Sequence, residues 1–441
     1  MRRLRRPLCL LLCLLLLSAP VAFADDAPFS VTVHVGGGSF FVRAYADSYY
    51  NNLYLSLSDL SAALSGTGRQ FRFSLTSTPS DGDVFSLTSG LPAEAPSRGA
   101  EGTAEAVTAL YPYRNRLFQD GRELKYYTHR QGNELYMSLT DVQLLLDVTI
   151  ERSAEGGLRL YPERPFVPDP SALAAAGYLD AVDAVLVGDA DTGEILYARH
   201  GGDPYPVASL SKLMGYLLLA EAANDGRVHL NDAVPISETA AALSRSVNGM
   251  IELHAGQTVP FTELLDAMLI SSSNESALAL AEYLSGSEAS FVDAMNRRAA
   301  ELGMLSTVYR SCCGLPVYTD SAIPAKRQNV SSASDLFLLC RHLLARYPAL
   351  LDRTSKTYVI LPDMGNYVSA NSNPMVFNVP GANGLKTGNT DRAGYCLIST
   401  LPVAAEGATH TVVAIVLGAE TPTIRNQLSQ MLLLWAQRRG G

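Results

Sequence analysis

The sequence predicts a two-domain α/β (α+β) protein: a small domain built on a repeat, then a larger one with a mixed sheet and a helical subdomain. Three observations carry that prediction. The segment Leu53-Tyr54-Leu55-Ser56-Leu57-Ser58-Asp59-Leu60 returns at an offset of 82 as Leu135-Tyr136-Met137-Ser138-Leu139-Thr140-Asp141-Val142. A proline-dense stretch from Pro162 to Pro170 reads as a semi-rigid spacer after the repeat region. Beyond it, strand-like runs at both ends enclose a helical middle, as expected for a sheet with helices packed on it. The expected divisions are 1–24, 25–165, a linker over 166–177, and 178–441.

Residues 1–24 have the pattern of a secretory signal peptide. Arg2, Arg3, Arg5 and Arg6 form its charged region, Leu8 to Ala19 its apolar region, and Ala22-Phe23-Ala24 a cleavage site before Asp25. The apolar run is short for a membrane span, which needs roughly 20 residues, although a retained anchor is the alternative. Neither Cys9 nor Cys13 follows a lipobox-like pattern. The chain is therefore expected outside the cytoplasm, with a membrane partner only if the segment is retained. Loss of the segment's four arginines, with no acid, takes the formal charge from −9 to −13. An acidic mature chain argues against nucleic acid as a partner.

At 441 residues and 47% hydrophobic, the chain is long enough for two or more domains with a large core. Cys312, Cys313, Cys340 and Cys396 remain in the mature part, too few and too scattered for a disulfide scaffold. The seven histidines show neither H-E-x-x-H nor Cys/His zinc spacing, so no metal site and no cofactor are expected.

Each repeat copy alternates like a strand and then offers Ser58 or Thr140 as a helix N-cap. Strand-like segments flank both copies: 31–35 and 70–73 around the first, 122–127 and 158–161 around the second. This arrangement resembles the paired-repeat module named after the N-terminal domain of copper amine oxidases, found on secreted bacterial wall proteins. No histidine cluster accompanies it, so the resemblance implies no copper. Between the copies, Ser77 to Ala106 is rich in Ser, Pro, Gly and Ala and is expected as a loop.

In the larger domain, Ala184 to Val187 reads as a buried strand, Asp189 to Gly193 as a turn, and Glu194 to Ala198 as the returning strand. Helical spacing covers 260–284 and 334–344. Strands return at 394–399 and 410–417, and a last helix spans about 422–437.

Chemistry first becomes visible at Ser209-Leu210-Ser211-Lys212, which opens the apolar run Leu213 to Ala220. On a helix, residues three apart share a face, and a first-turn serine lies near unpaired N–H groups and the positive dipole end. A lysine in a dry pocket can lose its proton and activate such a serine. Of the five lysines, only Lys212 has a serine three places before it. The plain alternative is a helix start with an unrelated surface lysine.

Two further motifs follow. In Ser271-Ser272-Ser273-Asn274-Glu275, Ser272 is a candidate proton relay and the Asn274 amide a holder of a substrate carbonyl and of Lys212; a capping serine run is the alternative. In Gly384-Leu385-Lys386-Thr387-Gly388-Asn389, Lys386 adds positive charge beside Ser209, helping to keep Lys212 neutral and to steady an oxyanion. Gly388 is expected to let a substrate backbone lie against the strand, the alternative being a strand ended by an ordinary turn.

Ser209-x-x-Lys212, Ser272-x-Asn274 and Lys386-Thr387-Gly388, in that order, resemble the three motifs of the penicillin-recognising serine enzymes. The flanks Asp189 to Tyr197, Ala208 to Met214 and Gly384 to Leu397 are similar to those of the D-alanyl-D-alanine carboxypeptidases, the low-molecular-mass penicillin-binding proteins. The resemblance covers about 182–435 and implies the penicillin-binding/β-lactamase-like serine transpeptidase fold. It implies removal of the terminal D-alanine from peptidoglycan stem pentapeptides through an acyl-enzyme on Ser209, with β-lactams as covalent inhibitors.

Carried over residue by residue, Lys212 is the general base, and Ser272 and Asn274 serve proton transfer and substrate positioning. Lys386 and Thr387 hold the substrate carboxylate, the Ser209 and Asn389 N–H groups form the oxyanion hole, and Arg425 helps bind the carboxylate. Cys313-Gly314-Leu315 stands where relatives commonly read His-Gly-Leu or Ser-Gly-Leu, which places Cys313 as a pocket-lining residue or a tolerated small one. The rival functions are a β-lactamase on the same fold and a non-catalytic penicillin-binding sensor or wall-binding protein. No Glu-x-x-Leu-Asn segment lies between Asn274 and Lys386 to activate a deacylating water, and the intact motifs argue against a sensor.

Overall fold

The computed structural model describes residues 29–47, 52–80, 82–94, 108–111, 114–166, 169–318, 326–405 and 407–440; the proposed signal segment lies outside them. The chain divides between Asp180 and Ala181 into two compact units.

In the first unit, β1 (Phe29–Val35), β2 (Gly38–Asp47) and β3 (Asn52–Ser56) lead into helix α1 (Leu57–Leu64). A hairpin follows, β4 (Phe71–Thr78) and β5 (Gly82–Ser89), then β6 (Thr108–Leu110), β7 (Leu117–Gln119), β8 (Arg122–Leu124) and β9 (Thr128–Gln131). The second repeat copy forms β10 (Glu134–Ser138) and α2 (Leu139–Leu146), and β11 (Thr149–Arg152) and β12 (Leu158–Tyr161) close the unit. Eight strands make one sheet in the order β11-β12-β1-β2-β3-β10-β9-β6, and β4-β5-β7-β8 make another.

The repeat has a direct structural meaning. Leu55 pairs with Met137, its own counterpart in the second copy, while Tyr54 pairs with Ser138 and Ser56 with Tyr136. A local two-fold axis therefore passes through the Leu55–Met137 pair, and the copies pack their apolar faces into one core that includes Leu57, Leu60, Leu64, Val142 and Leu146. The helix caps fall two residues earlier than the sequence reading placed them. Ser56 Oγ accepts from Asp59 N and Ser138 Oγ from Asp141 N, because the strand ends at that serine and leaves the following N–H groups unpaired. The expected loop from Ser77 also differs: Ser77–Thr78 and Gly82–Ser89 lie in the β4–β5 hairpin, whose cross-strand pairs Phe73–Leu87 and Leu75–Phe85 give it an apolar face. Residues 95–106 of that expected loop lie outside the described residues. Part of the expected linker is helical, since Asp169 Oδ1 caps Pro170–Ala175 by accepting from Ser171 N and Ala172 N.

The second unit is built on a five-stranded sheet. Its strands are β13 (Ala184–Asp189), β14 (Ile195–Arg199), β15 (Gly384–Thr390), β16 (Gly394–Ala405) and β17 (Ala408–Ala419), in the order β14-β13-β17-β16-β15. Mixed pairing occurs in the first unit, where β1 runs parallel to β12. Here all four ladders are antiparallel, as short turns require for the three that join consecutive strands. Asp189 braces the first turn by accepting from Asp191 N and Thr192 N and pairing with His410 Nδ1 at 2.8 Å.

The main helices are α3 (Lys212–Asn224), α4 (Asn274–Ser285), α5 (Glu288–Glu301), α6 (Ala333–Arg346) and α7 (Pro422–Gly440). Helix α3 is apolar on nearly every side and runs through the core, burying Leu213, Met214, Leu217, Leu219 and Ala222. Helix α7 packs on β16 and β17, and α6 on β13 and β17. The helical pattern over 260–284 is interrupted: Phe261–Asp266 gives way to a wider turn at Ala267–Ser271, Ser272 adopts a left-handed φ of 65°, and α4 restarts at Asn274. Ser273 caps that restart by accepting from Ser276 N. The break brings Asn274 to a helix start rather than burying it mid-helix.

Candidate active site

Ser209 lies in a tight turn, Ala208–Ser211, and α3 proper begins at Lys212. Two glycines let neighbouring segments close on this turn. Gly314, at a φ of 91°, lies so near Ala208 that any Cβ would collide with its carbonyl. A Cβ on Gly388 would stand 2.8 Å from Val207 O and 3.2 Å from the Ser209 and Leu210 nitrogens. Gly388 thus lets β15 rest directly against the nucleophile turn.

Lys212 is fully buried. Its Nζ lies 2.7 Å from Ser209 Oγ, 2.8 Å from Asn274 Oδ1 and 3.0 Å from the Cys313 carbonyl oxygen. Burial pushes the Lys212 ammonium below its ordinary value, opposed by Cys313, Cys312 and Glu275. A neutral amine has two N–H bonds and one lone pair. The Asn274 and Cys313 oxygens can only accept, so they take the two N–H bonds, and the lone pair is left facing the Ser209 hydroxyl. That is the arrangement of a base poised on its nucleophile.

Lys386, on the edge strand β15, is also fully buried, and its Nζ donates to Thr387 O at 3.1 Å. Its ammonium lies well below the ordinary range, first through burial and then through the positive charges of Lys212 and Arg425. Burial is the leading cause of the lowered Lys212 value, and the repulsion between the two ammonium groups, being mutual, disfavours holding both charged at once. Thr387 Oγ1 donates to Ser372 Oγ at 2.8 Å. Asn389 is exposed near the end of β15, opposite Tyr395. Arg425, in the first turn of α7, is buried, donates from Nε to Asn426 Oδ1, and stands 6.0 Å from the Tyr395 ring centroid. Ser272 is half-buried two residues before Asn274, and among the described residues no hydrogen bond joins its hydroxyl to Ser209 or Lys212.

Cys313, expected as a pocket-lining or tolerated small side chain, reaches Lys212 through its main-chain carbonyl, and one further contributor escaped the sequence reading. Asn329, fully buried, uses its whole amide: Oδ1 accepts from Arg310 N and Ser311 N, and Nδ2 donates to Ser211 Oγ and Ser311 O. Its own carbonyl accepts from Val207 N. Asn329 therefore ties the Ser209 turn to the segment carrying Cys313. It is 118 residues from Ser211, a separation that no local spacing rule can detect.

The model of the D-alanyl-D-alanine carboxypeptidase family matches residues 171–421. The chain belongs to this family. The carboxypeptidase match takes in every candidate site residue except Arg425, which lies just past it. Among curated carboxypeptidases, DacF of Bacillus subtilis is 33% identical over 256 residues, 57% of this chain and 61% of that protein. DacC of Escherichia coli is 29% identical over 286 residues, 62% of this chain and 66% of that protein. The chain thus spans somewhat under two thirds of the length of these relatives. Among solved structures, the peptidoglycan synthesis regulatory factor PBP3 of Streptococcus pneumoniae is similar with a TM-score of 0.52 and 30% identity, covering 58% of this chain and 72% of that one. Penicillin-binding protein 6B of E. coli gives a TM-score of 0.52 at 26% identity, covering 58% and 77%. The penicillin-binding fold expected for the second unit is the fold of these neighbours.

Proposed function

We propose that the protein is a serine-type D-Ala-D-Ala carboxypeptidase that removes the terminal D-alanine of peptidoglycan stem pentapeptides. The observation that carries this reading is the fully buried Lys212 Nζ, 2.7 Å from Ser209 Oγ and held there by the Asn274 and Cys313 oxygens. Lys212 takes the Ser209 proton as Oγ attacks the penultimate D-alanine carbonyl. The N–H groups of Ser209 and Asn389 receive the oxyanion. Ser272 relays the proton to the leaving amine, Asn274 positions the substrate, and the C–N bond breaks to release D-alanine. Water then attacks the acyl-enzyme carbonyl while Lys212 takes its proton and passes it to Ser209 Oγ as the acyl C–Oγ bond breaks, which frees the shortened peptide and restores the serine. Lys386, Thr387 and Arg425 hold the terminal carboxylate, and Gly388 keeps β15 against the nucleophile turn. A β-lactam, whose ring amide occupies the place of the scissile bond, leaves a slowly hydrolysed acyl group on Ser209.

The substrate lies outside the cytoplasmic membrane, so this reading carries an extracytoplasmic location, in keeping with the signal pattern of residues 1–24. Among the described residues, no helix is long and apolar enough to cross a membrane. The N-terminal unit, with its paired repeat, is proposed as the module that holds the enzyme at the wall or a partner. The test is D-alanine release from diacetyl-Lys-D-Ala-D-Ala together with fluorescent-penicillin labelling and mass mapping of the label. Release, with the label on Ser209, is the expected result. Labelling without release points to the sensor reading.

The pH dependence has a defined sign. Acylation needs neutral Lys212, so its rate is expected to rise with pH through the lowered Lys212 value and to level off above it, before ordinary lysines titrate. Lys212 and Lys386 both bind fewer protons folded than unfolded between their lowered native values and the ordinary lysine range. Their contribution therefore makes stability increase with pH across that window. Penicillin acylation rates and urea unfolding over a pH series read the two effects separately.

A further inference from the structure

We propose that Glu275 is a positioning residue for this reaction: its carboxylate fixes the 248–251 turn, whose Asn248 carbonyl sets the orientation of the Asn274 amide and so aims the Lys212 lone pair at Ser209. The inference rests on the reading of Lys212 as the base and assigns a role to a residue outside the three motifs.

Glu275 is the second residue of α4 and is fully buried. Burying a carboxylate is costly unless its oxygens are well paired. Among the described residues, no basic side chain forms an ion pair with it. Its partners are two consecutive backbone donors: Ile251 N at 2.6 Å from Oε1, and Met250 N at 3.1 Å from Oε1 and 3.2 Å from Oε2. The residue just before this pair in the turn, past Gly249, is Asn248, whose carbonyl accepts from Asn274 Nδ2 at 2.8 Å.

An asparagine amide has nearly the same shape in its two flipped orientations, and its surroundings choose between them. Asn248 O can only accept, so Nδ2 must face it and Oδ1 must face Lys212. In the flipped state, Asn274 would present N–H to Lys212 Nζ. The lysine lone pair would then be drawn to that donor and away from Ser209. The 248–251 turn thus decides where the base points, and Glu275 is what holds the turn in place.

The test is a double-mutant cycle on the full-length chain, with the second-order rate of fluorescent-penicillin acylation as readout. Glu275→Gln alone is expected to slow acylation about tenfold, the size of a typical coupling between contacting groups. In an Asn274→Ala background, the same change is expected to have less than about a twofold effect, because the group through which it acts is gone. A loss of general packing would instead lower the rate equally in both backgrounds. Equal losses, or a Glu275→Gln chain that acylates at the wild-type rate, overturn the inference. If Glu275→Gln does not fold, Glu275→Asp, which keeps the charge but shortens the reach, runs through the same cycle with the same criterion. A wild-type chain that takes no label at Ser209 overturns the functional reading and this inference together, whereas labelling with additive losses overturns this inference alone.

Discussion

Lys212→Met is expected to slow penicillin acylation of Ser209 by about 10³-fold, the scale of a lost general base, without lowering the unfolding midpoint. Methionine fills nearly the same volume but has no amine, so nothing takes the serine proton. Two energetic effects oppose each other in the fold. The Asn274 Oδ1 and Cys313 carbonyl acceptors lose a donor, at a cost of about 1–3 kcal/mol each. Relief of the cost of keeping an amine buried offsets this by about the same amount, in the order-of-magnitude sense. Activity and stability should therefore separate, as they do where a site is held in an unfavourable state for function. Stopped-flow acylation and guanidinium unfolding on the same preparation give both numbers. A variant that acylates normally would remove Lys212 from the mechanism.

Asn329→Leu is expected to destabilise the second unit by about 3–5 kcal/mol, the range for losing a buried polar hub. Leucine has similar volume and would leave Arg310 N, Ser311 N, Ser311 O and the Ser211 hydroxyl without their present partner. Each such orphan costs about 1–3 kcal/mol when no water reaches it. The effect should appear as a lower denaturation midpoint with an unchanged m-value. Acylation should fall as well, because Asn329 helps to tie the Ser209 turn to the segment that carries the Cys313 carbonyl. A variant with the wild-type midpoint would show that the four bonds are replaced by water or by local rearrangement.

Much of the molecule was legible from the residues. The repeat announced two equivalent strand–helix units, and the structure adds that Leu55 and Met137 pair across a local two-fold axis. The strands around 184–199 and 394–419 were readable because apolar β-rich runs bounded by turn residues have few alternatives. The caps at Ser56 and Ser138 were misplaced by two residues because Ser-x-Ser and Ser-x-Thr offer two hydroxyls each. Only the end of the strand decides which hydroxyl meets free N–H groups. The helix over 260–284 read as continuous because a left-handed residue at Ser272 leaves no trace in hydrophobic periodicity.

What the sequence determined by itself is the chemistry on offer: a serine and a lysine three residues apart, an Asn two residues after a second serine, and a lysine two residues before a glycine on a strand. Spacing within one element is enough for that, since the backbone fixes how neighbours share a face. What only the tertiary structure decided is which state those groups hold. Lys212 is driven toward the neutral amine by complete burial, its lone pair is aimed by an amide and a carbonyl 62 and 101 residues away, and Gly388 serves the contact between two parts of the chain. Charge state, amide orientation and close approach all depend on what surrounds a group in space, and segments far apart in the chain supply those surroundings.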